Sequence, residues 1–356
     1  MPRLQGDIFM PFTLNEKIKN LVPYDPIAGQ YPIRLDANES FLPIDGEERG
    51  AIVQAARETD LRRYPDHEAT KLRQAAGAWF WVKPSLLTAW NGTDEAILLL
   101  CSAFLGKGET LLGFDADFFM YGFNAYLTGA QCVKLPKRED FTIDVEMTIA
   151  ALHEHKPAML LFSNPCNPTS LVLAREDTLR IVEAALETGT LAVVDEAYMD
   201  FCDQSLLDDI ERFDNLVILR TCSKAPGLAG LRLGFTAANE TITRALRAVK
   251  SPYNVGALTQ AVGTALLCQP LRLQEGVQEI RRRTDELSSA LKALGLPVMG
   301  DAANFVFVRD AAGAFEYLKE RGIIVRKFGA HLRITAGSEE ENGALVEALK
   351  GWRDVP

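Results

Sequence analysis

The feature that most constrains the fold is a regular alternation of short apolar runs with amphipathic stretches between residues 90 and 240. The sequence predicts strands over residues 110–114, 131–135, 158–162, 191–195, 217–220 and 232–237. Helical patterns lie between most of them, including residues 94–105, 144–155 and 175–187. Strands that alternate with helices of this length need crossover connections. We therefore expect an α/β fold with a mostly parallel central sheet covered by helices.

The pattern changes after residue 240. A long helix is predicted over residues 271–294, then a strand over 304–308, a helix near 315–321, strands over 323–326 and 332–335, and a helix over 339–352. These elements indicate a smaller α+β domain. For a chain of 356 residues we expect a large domain at 41–250 and a small one at 251–356. The proline-containing residues 1–40 are predicted to be irregular and to pack on the small domain.

Composition excludes several classes of protein. The net charge is −10, and no Lys/Arg-rich block is present, which argues against nucleic acid as the main partner. No apolar run approaches the roughly 20 residues of a membrane helix, and the N-terminus lacks a secretion signal, so we expect a cytoplasmic protein. The six cysteines are scattered without a CxxC pair, and four histidines make a metal site improbable.

A lysine within the segment 221–232 (TCSKAPGLAGLR) is the first candidate for chemistry. Most lysines are solvated surface residues, but Lys224 follows a predicted strand on a loop of small residues. Hydroxyls at Thr221 and Ser223, nearby glycines and the guanidinium of Arg232 could surround a phosphate group. A lysine that forms a Schiff base must be neutral when it attacks, so its pKa must be lowered by burial or by positive charge.

Two further segments place polar side chains after predicted strands. Asp195, in VVDEAY, ends a buried strand, where ligands bind in parallel sheets. A carboxylate there is either a simple strand-end acid or a group that holds a pyridine nitrogen protonated, and Tyr198 could reach the same ring. In SNPCNPT, two Asn-Pro units predict a turn from which Asn167 could direct its amide at a ligand.

A fourth segment, NGTDEA at 91–96, predicts the start of a helix at Gly92, Thr93 and Asp94. The unpaired backbone N–H groups of a helix N-terminus form either an ordinary cap or an anion site. Other phosphate and metal signatures are missing, because neither GxGxxG, nor GxxxxGK[ST], nor HExxH occurs.

Together these segments resemble the pyridoxal 5′-phosphate (PLP) dependent aminotransferases of fold type I, and within them the histidinol-phosphate aminotransferases. The resemblance covers nearly the whole chain, because further matches occur in the same order: VPYDP around Tyr24, LDANES at 35–40, RRYPD at 62–66, VRKF at 325–328 and LRITAGSEEEN at 332–342. It implies a large PLP-binding domain with a mostly parallel sheet, together with a smaller α+β domain.

The resemblance also implies roles for individual residues. Lys224 would bind the cofactor covalently and move the proton between substrate Cα and cofactor C4′. Asp195 would pair with the pyridinium nitrogen. Tyr198 and Asn167 would hydrogen-bond the phenolic oxygen. Phe118 would stack on the ring, unless it merely packs in the core.

The resemblance implies separate binding sites for the cofactor phosphate and for the anionic group of the substrate. The residues implied for the cofactor phosphate are Gly92, Thr93, Asp94, Thr221, Ser223 and Arg232, with Tyr64 reaching across from the other subunit of a homodimer. An exposed Tyr64 in a simple turn is the alternative. The residues implied for the substrate are Tyr24, Asn167, Arg326 and Arg333, which would grip its phosphate or the carboxylate of glutamate.

The implied reaction converts L-histidinol phosphate and 2-oxoglutarate to imidazole acetol phosphate and glutamate, in histidine biosynthesis. Three features depart from the family: Ser170 replaces a glycine, Ser40-Phe41 replaces Asn-Pro, and the loop at 327–332, beside the substrate, is shortened. The alternatives are a threonine-phosphate decarboxylase-like enzyme, an aminotransferase of another amino acid such as an aromatic one, and a non-catalytic PLP-fold binding protein.

Overall fold

The computed structural model describes residues 12–19, 21–23, 27–44 and 46–353. The chain forms two compact units, residues 1–30 and 31–356. The first contains a one-turn helix, α1 (Glu16–Lys19), whose N-terminus is capped by Asn15, because its Oδ1 accepts the backbone N–H of Lys17 at 2.9 Å. Tyr24, a predicted substrate residue, lies outside the described residues.

Two sheets make up the second unit. The strands in its described part are β1 (Ile33–Leu35), β2 (Leu87–Trp90), β3 (Thr110–Phe114), β4 (Gln131–Leu135), β5 (Met159–Ser163), β6 (Leu191–Asp195), β7 (Leu216–Thr221), β8 (Gly234–Ala238), β9 (Val298–Met299), β10 (Phe305–Val308), β11 (Ile323–Phe328) and β12 (His331–Thr335). The larger sheet has the order β2-β8-β7-β6-β5-β3-β4. Strand β8 runs in the opposite direction to the other six strands of this sheet. The predicted mostly parallel sheet is therefore confirmed.

Helices cover both faces of the larger sheet. The helices of the second unit in the described residues are α2 (Gly46–Glu58), α3 (Thr70–Phe80), α4 (Thr93–Phe104), α5 (Met120–Thr128), α6 (Val145–His155), α7 (Arg175–Glu187), α8 (Glu240–Val249), α9 (Ala257–Leu267), α10 (Pro270–Ala293), α11 (Ala314–Glu320) and α12 (Glu339–Arg353). Alternate residues of β5 enter different cores, Leu160 and Phe162 on one face and Met159 and Leu161 on the other. This alternation is the period of a strand buried on both sides.

The smaller sheet has the order β1-β11-β12-β10-β9. Its strands are antiparallel except that β1 pairs parallel with β11, with Ile33 opposite Ile323. Its core includes Leu287 of α10, Leu318 of α11 and Leu345 of α12. The strand β1 corrects the expectation that residues 1–40 are irregular. The packing of that whole segment on the small domain and the domain boundaries at residues 40 and 250 stay predictions.

Most differences from the predicted elements lie at their ends. The strand predicted over 232–237 begins only at Gly234, because Arg232 has a φ of +52° and closes the preceding turn. The strands β1, β2 and β9 were not predicted, since two to four residues show no reliable period. In the described part of the chain, no helix is both long enough and apolar enough to span a bilayer.

A buried ion cluster ties β7 to the chain after β6. The guanidinium of Arg220 donates to Glu196 at 3.1 Å and to Asp200. Glu196 also accepts hydrogen bonds from the Ser205 hydroxyl at 2.6 Å and from the Leu206 backbone at 2.8 Å. Removing one member of such a cluster leaves charges buried without compensation.

We expect Arg220→Met to lower the free energy of unfolding by about 3–5 kcal/mol, because two buried carboxylates lose their counter-charge. Urea denaturation measures this value. The control is Arg282→Met, which removes an exposed guanidinium paired with Glu279 and Glu286 on α10 and should change stability far less, because solvent screens exposed ion pairs. Equal effects of the two substitutions would show that the buried cluster does not contribute as described.

Candidate active site

Three parallel strands end together at one edge of the larger sheet. Ser163, Asp195 and Thr221 are the last residues of β5, β6 and β7, and Ser163 pairs in register with Asp195. The chain turns sharply after β7, where the Thr221 hydroxyl accepts the backbone N–H of Ser223 at 3.1 Å. The carboxyl ends of parallel strands are the usual place for a ligand site.

A buried carboxylate lies at the centre of this edge. Asp195 is 5% exposed, and its two oxygens accept hydrogen bonds from the Tyr121 hydroxyl at 2.8 Å and the Ala197 backbone N–H at 3.1 Å. Neither donor carries a positive charge, and burial raises the pKa of Asp195 to about 7. Such a carboxylate fits a cationic ligand group, which would restore its ionised form. Tyr121 received no role from the sequence.

The lysine after β7 points to the backbone of residues 37 and 38. The ammonium of Lys224 donates to the carbonyl oxygens of Ala37 at 3.1 Å and Asn38 at 3.2 Å. It also lies 5.8 Å from the centre of the Tyr198 ring. Burial, followed by the positive charge of Arg333, lowers the pKa of Lys224 to about 8. A substantial fraction of the amine is therefore neutral near that pH, as a nucleophile requires.

Asn38 connects the lysine to Tyr198, and no role was predicted for it from the sequence. Its side-chain amide donates to the buried Tyr198 hydroxyl at 2.8 Å, and its backbone N–H donates to Thr335 at 3.0 Å. The φ of Asn38 is +53°, a left-handed conformation that asparagine tolerates better than most residues. An asparagine inside LDANES was the only sequence signal for this position.

A cradle for an anion lies at the start of α4. Gly92 supplies no capping side chain to the first helical N–H groups, and a Cβ there would lie 2.7 Å from an Arg232 nitrogen. A Cβ on Gly234 would likewise lie 2.7 Å from the backbone nitrogen of Thr93. Arg232 donates to Asp94 at 2.8 Å across this cradle. Close backbone approach, a helix N-terminus and a guanidinium together suit a phosphate group.

Two arginines of the smaller sheet form a second basic site. Arg326 on β11 and Arg333 on β12 are directly opposite in antiparallel register, so their side chains share one face. Arg333 donates to the Asn167 side-chain oxygen at 2.7 Å and to the Asp36 carbonyl at 2.5 Å. Like charges at opposed positions repel, and an anion between them would remove that repulsion.

Of the two predicted aromatic residues, Phe118 lies next to the site and Tyr64 lies at the surface. Phe118 is half-buried and meets the Tyr121 ring edge-on, with 5.5 Å between the ring centres. This places it beside the hydrogen-bond partner of Asp195. Tyr64 is 81% exposed and stacks on Tyr253 at 4.5 Å. In the described part of this chain, that stack joins Tyr64 to none of the other predicted site residues.

The residues present fit PLP at three separate points. Asp195 suits its pyridinium nitrogen, Lys224 its aldehyde carbon, and the cradle at Gly92 and Arg232 its phosphate. Each point rests on a different physical feature. These are a buried carboxylate without a cationic donor, a lysine of lowered pKa, and two glycines, Gly92 with a φ of +84° and Gly234 packed against the backbone of Thr93.

Comparison with known proteins agrees with this fit. A solved histidinol-phosphate aminotransferase from Sinorhizobium meliloti in complex with PLP has a TM-score of 0.85 at 23% identity and covers 97% of this chain and 98% of its own. The L-threonine-O-3-phosphate decarboxylase of Porphyromonas gingivalis has a TM-score of 0.76 at 23% identity, covering 90% of this chain and 99% of its own. These two likenesses establish the shared fold.

Two relatives found by sequence comparison have a higher sequence identity with this chain than these two structures have. Histidinol-phosphate aminotransferases of Clostridium novyi and Thermococcus gammatolerans are 37% and 36% identical over 342 residues, with coverage of 94% and 95% of this chain and 95% and 96% of theirs. The profile described as aminotransferase class I and II matches residues 33–349. The chain therefore belongs to the class I and II aminotransferases, enzymes that transfer amino groups with pyridoxal 5′-phosphate as cofactor.

Proposed function

We propose that this aminotransferase exchanges an amino group between L-histidinol phosphate and 2-oxoglutarate, with imidazole acetol phosphate and glutamate as products in histidine biosynthesis. The observation that carries the proposal is the opposed pair Arg326 and Arg333, with Arg333 bonded to Asn167. Such a site takes a substrate phosphate in one half-reaction and a glutamate carboxylate in the other. The names of the relatives support the same substrate.

Each site residue has a separate task in this proposal. Bound PLP supplies an electron sink for negative charge at the substrate α-carbon. Lys224 would bind the cofactor covalently, and its Nζ would then move the proton that leaves substrate Cα. Asp195 would keep the ring nitrogen protonated, while Tyr198 and Asn167 would donate hydrogen bonds to the phenolic oxygen. Phe118 would lie against the ring.

The cofactor phosphate is proposed to lie at the N-terminus of α4. The residues that would hold it are Gly92, Thr93, Thr221, Ser223 and Arg232, with Asp94 orienting the guanidinium of Arg232. Arg232 has five donors in a rigid fork, which can serve Asp94 and a phosphate together.

The strongest rival is decarboxylation of threonine phosphate, because that enzyme shares the fold and also binds a phosphate. The shortened loop keeps this rival and other amine substrates open. Strand β11 ends at Phe328 and β12 begins at His331, so only Gly329 and Ala330 form the turn beside the arginines. An activity assay therefore identifies the amine substrate. The presence of Lys224, Asp195 and Arg232 together favours an enzyme over a non-catalytic binding protein.

The proposal also includes a homodimer and a cytoplasmic location. Tyr64 is a large aromatic side chain at the surface, stacked on Tyr253, and this supports a role toward the cofactor phosphate of a second subunit. The six cysteines, which are all described, form no disulfide, in keeping with a reducing compartment.

Covalent attachment of PLP to the cofactor-free protein should quicken with pH and level off above about pH 8, because only the neutral amine of Lys224 attacks. Borohydride fixation followed by mass mapping of the modified lysine measures the rate. Lys224→Ala should remove the adduct, and Lys83→Ala, an exposed lysine paired with Glu211, should leave it unchanged. A rate still rising at pH 10 would contradict the lowered pKa.

Substitution Arg326→Met should lower kcat/KM for histidinol phosphate by about 30-fold or more, the equivalent of losing at least about 2 kcal/mol from a charged contact. With histidinol, which lacks the phosphate, the same substitution should have little effect. Arg321→Met, outside the strands, is the matched control. Glutamate formation from histidinol phosphate and 2-oxoglutarate is the readout. Release of CO₂ from threonine phosphate without that activity would support the decarboxylase instead.

Mixing the inactive variants Tyr64→Phe and Lys224→Ala should restore part of the activity if Tyr64 acts across a dimer interface. Each hybrid dimer then contains one site with both native residues, so exchange at equal concentrations yields up to about a quarter of the wild-type activity per subunit. Subunit exchange is followed by native mass spectrometry. Complete exchange without recovered activity would place Tyr64 in its own subunit's site or outside both.

A further inference from the structure

A cavity lies behind the turn that carries Asn167. Its volume is about 400 Å³, and the segments 137–145 and 163–177 line it. Two chemically reactive side chains, those of Lys137 and Cys166, face this cavity from opposite segments. Neither has a task in the proposed reaction.

These two side chains are in direct contact. The Lys137 Nζ lies 3.0 Å from the Cys166 sulfur and also donates to the Ala116 carbonyl at 3.1 Å. Burial alone would lower the pKa of Lys137, but its interactions with Cys166 and Asp117 outweigh burial and raise that pKa above its ordinary value. The lysine is therefore an ammonium, and a lysine cation next to the sulfur is a typical setting of reactive cysteines.

The other cysteines lack this environment. Burial raises the pKa of Cys101 to about 12 and that of Cys202 to about 11, and it raises the pKa of Cys222 as well. Burial also raises the pKa of Cys132, although the charge of Lys134 opposes it, and Cys268 is exposed on the surface. Cys166 is thus the cysteine that combines a contacting ammonium with a cavity large enough to admit a small oxidant.

We propose that Cys166, paired with Lys137, is an oxidation site through which peroxides reversibly inactivate this enzyme. The Cys166 sulfur attacks one oxygen of hydrogen peroxide, so an S–O bond forms and the O–O bond breaks. The thiol is oxidised to sulfenic acid, and the displaced oxygen leaves as hydroxide, which takes the thiol proton and becomes water. Two equivalents of a thiol reductant return the sulfenic acid to the thiol, with release of water and formation of the reductant's disulfide.

The location of Cys166 connects this modification to the active site. Its backbone N–H donates to Leu171 at 2.8 Å, its carbonyl accepts from Ser170 at 2.8 Å, and the next residue, Asn167, donates through its backbone to Ser163 at 3.0 Å. An oxygen added on the side of the sulfur that Lys137 contacts displaces the ammonium, and the tight turn moves with it. That movement disturbs Asn167, which holds Arg333 at 2.7 Å.

The test treats PLP-loaded wild-type enzyme with hydrogen peroxide and follows peptide mass, labelling by a dimedone probe, and transamination of glutamate. We expect Cys166 to gain 16 Da, or the label when the probe is present, about tenfold faster than the other cysteines. Activity should fall in parallel, and dithiothreitol should restore it when no probe has been added. Lys137→Met should slow the labelling about tenfold, because the sulfur loses the cation that contacts it.

Two cysteine variants complete the design. Cys166→Ser and, should it fold poorly, Cys166→Ala should resist peroxide, whereas Cys268→Ser should be as sensitive as the wild type. Labelling at Cys166 is read by mass, so this outcome is independent of which amine the enzyme accepts. Labelling that favours Cys268, or equal inactivation of wild type and Cys166→Ser, would overturn the proposal.

Discussion

The buried carboxylate of Asp195 is the constraint on which the site depends. The fold removes this group from water and gives it only neutral hydrogen-bond donors, so its pKa rises to about 7. A buried acid of this kind weakens the protein at neutral pH unless a cation compensates it. A protonated pyridine ring is such a cation, and we propose that PLP binds this site through that complementarity.

The rest of the site is arranged around this point by the two sheets. The larger sheet delivers Asp195 and the lysine-bearing turn from adjacent parallel strands, and the cluster of Arg220 with Glu196 holds those strand ends together. The smaller sheet contributes Arg326 and Arg333 from a hairpin, while Asn38, just after β1, contacts both Lys224 and Tyr198. In the proposed site, groups for the cofactor therefore come from the larger sheet and the two arginines for the substrate anion from the smaller one.

Much of this could be predicted from the sequence, because the elements of the large sheet are periodic and well bounded. The strands β3, β4 and β6 and the helix α7 begin and end at the predicted residues. Tyr121 and Asn38 could not be predicted, since their partners Asp195 and Tyr198 lie 74 and 160 residues away and only the fold brings them together. The short strands β1 and β2 are likewise determined by pairing with distant strands rather than by local pattern.

The protonation state of the cofactor ring tests the central claim most directly. ¹⁵N NMR of enzyme loaded with PLP labelled at the ring nitrogen distinguishes a pyridinium from a neutral pyridine by chemical shift. Wild-type enzyme should show a protonated nitrogen throughout the range in which the protein is folded, and Asp195→Asn should show a neutral one at pH 8 with the cofactor still attached to Lys224. A neutral ring in the wild type, or an unchanged signal in Asp195→Asn, would contradict the account.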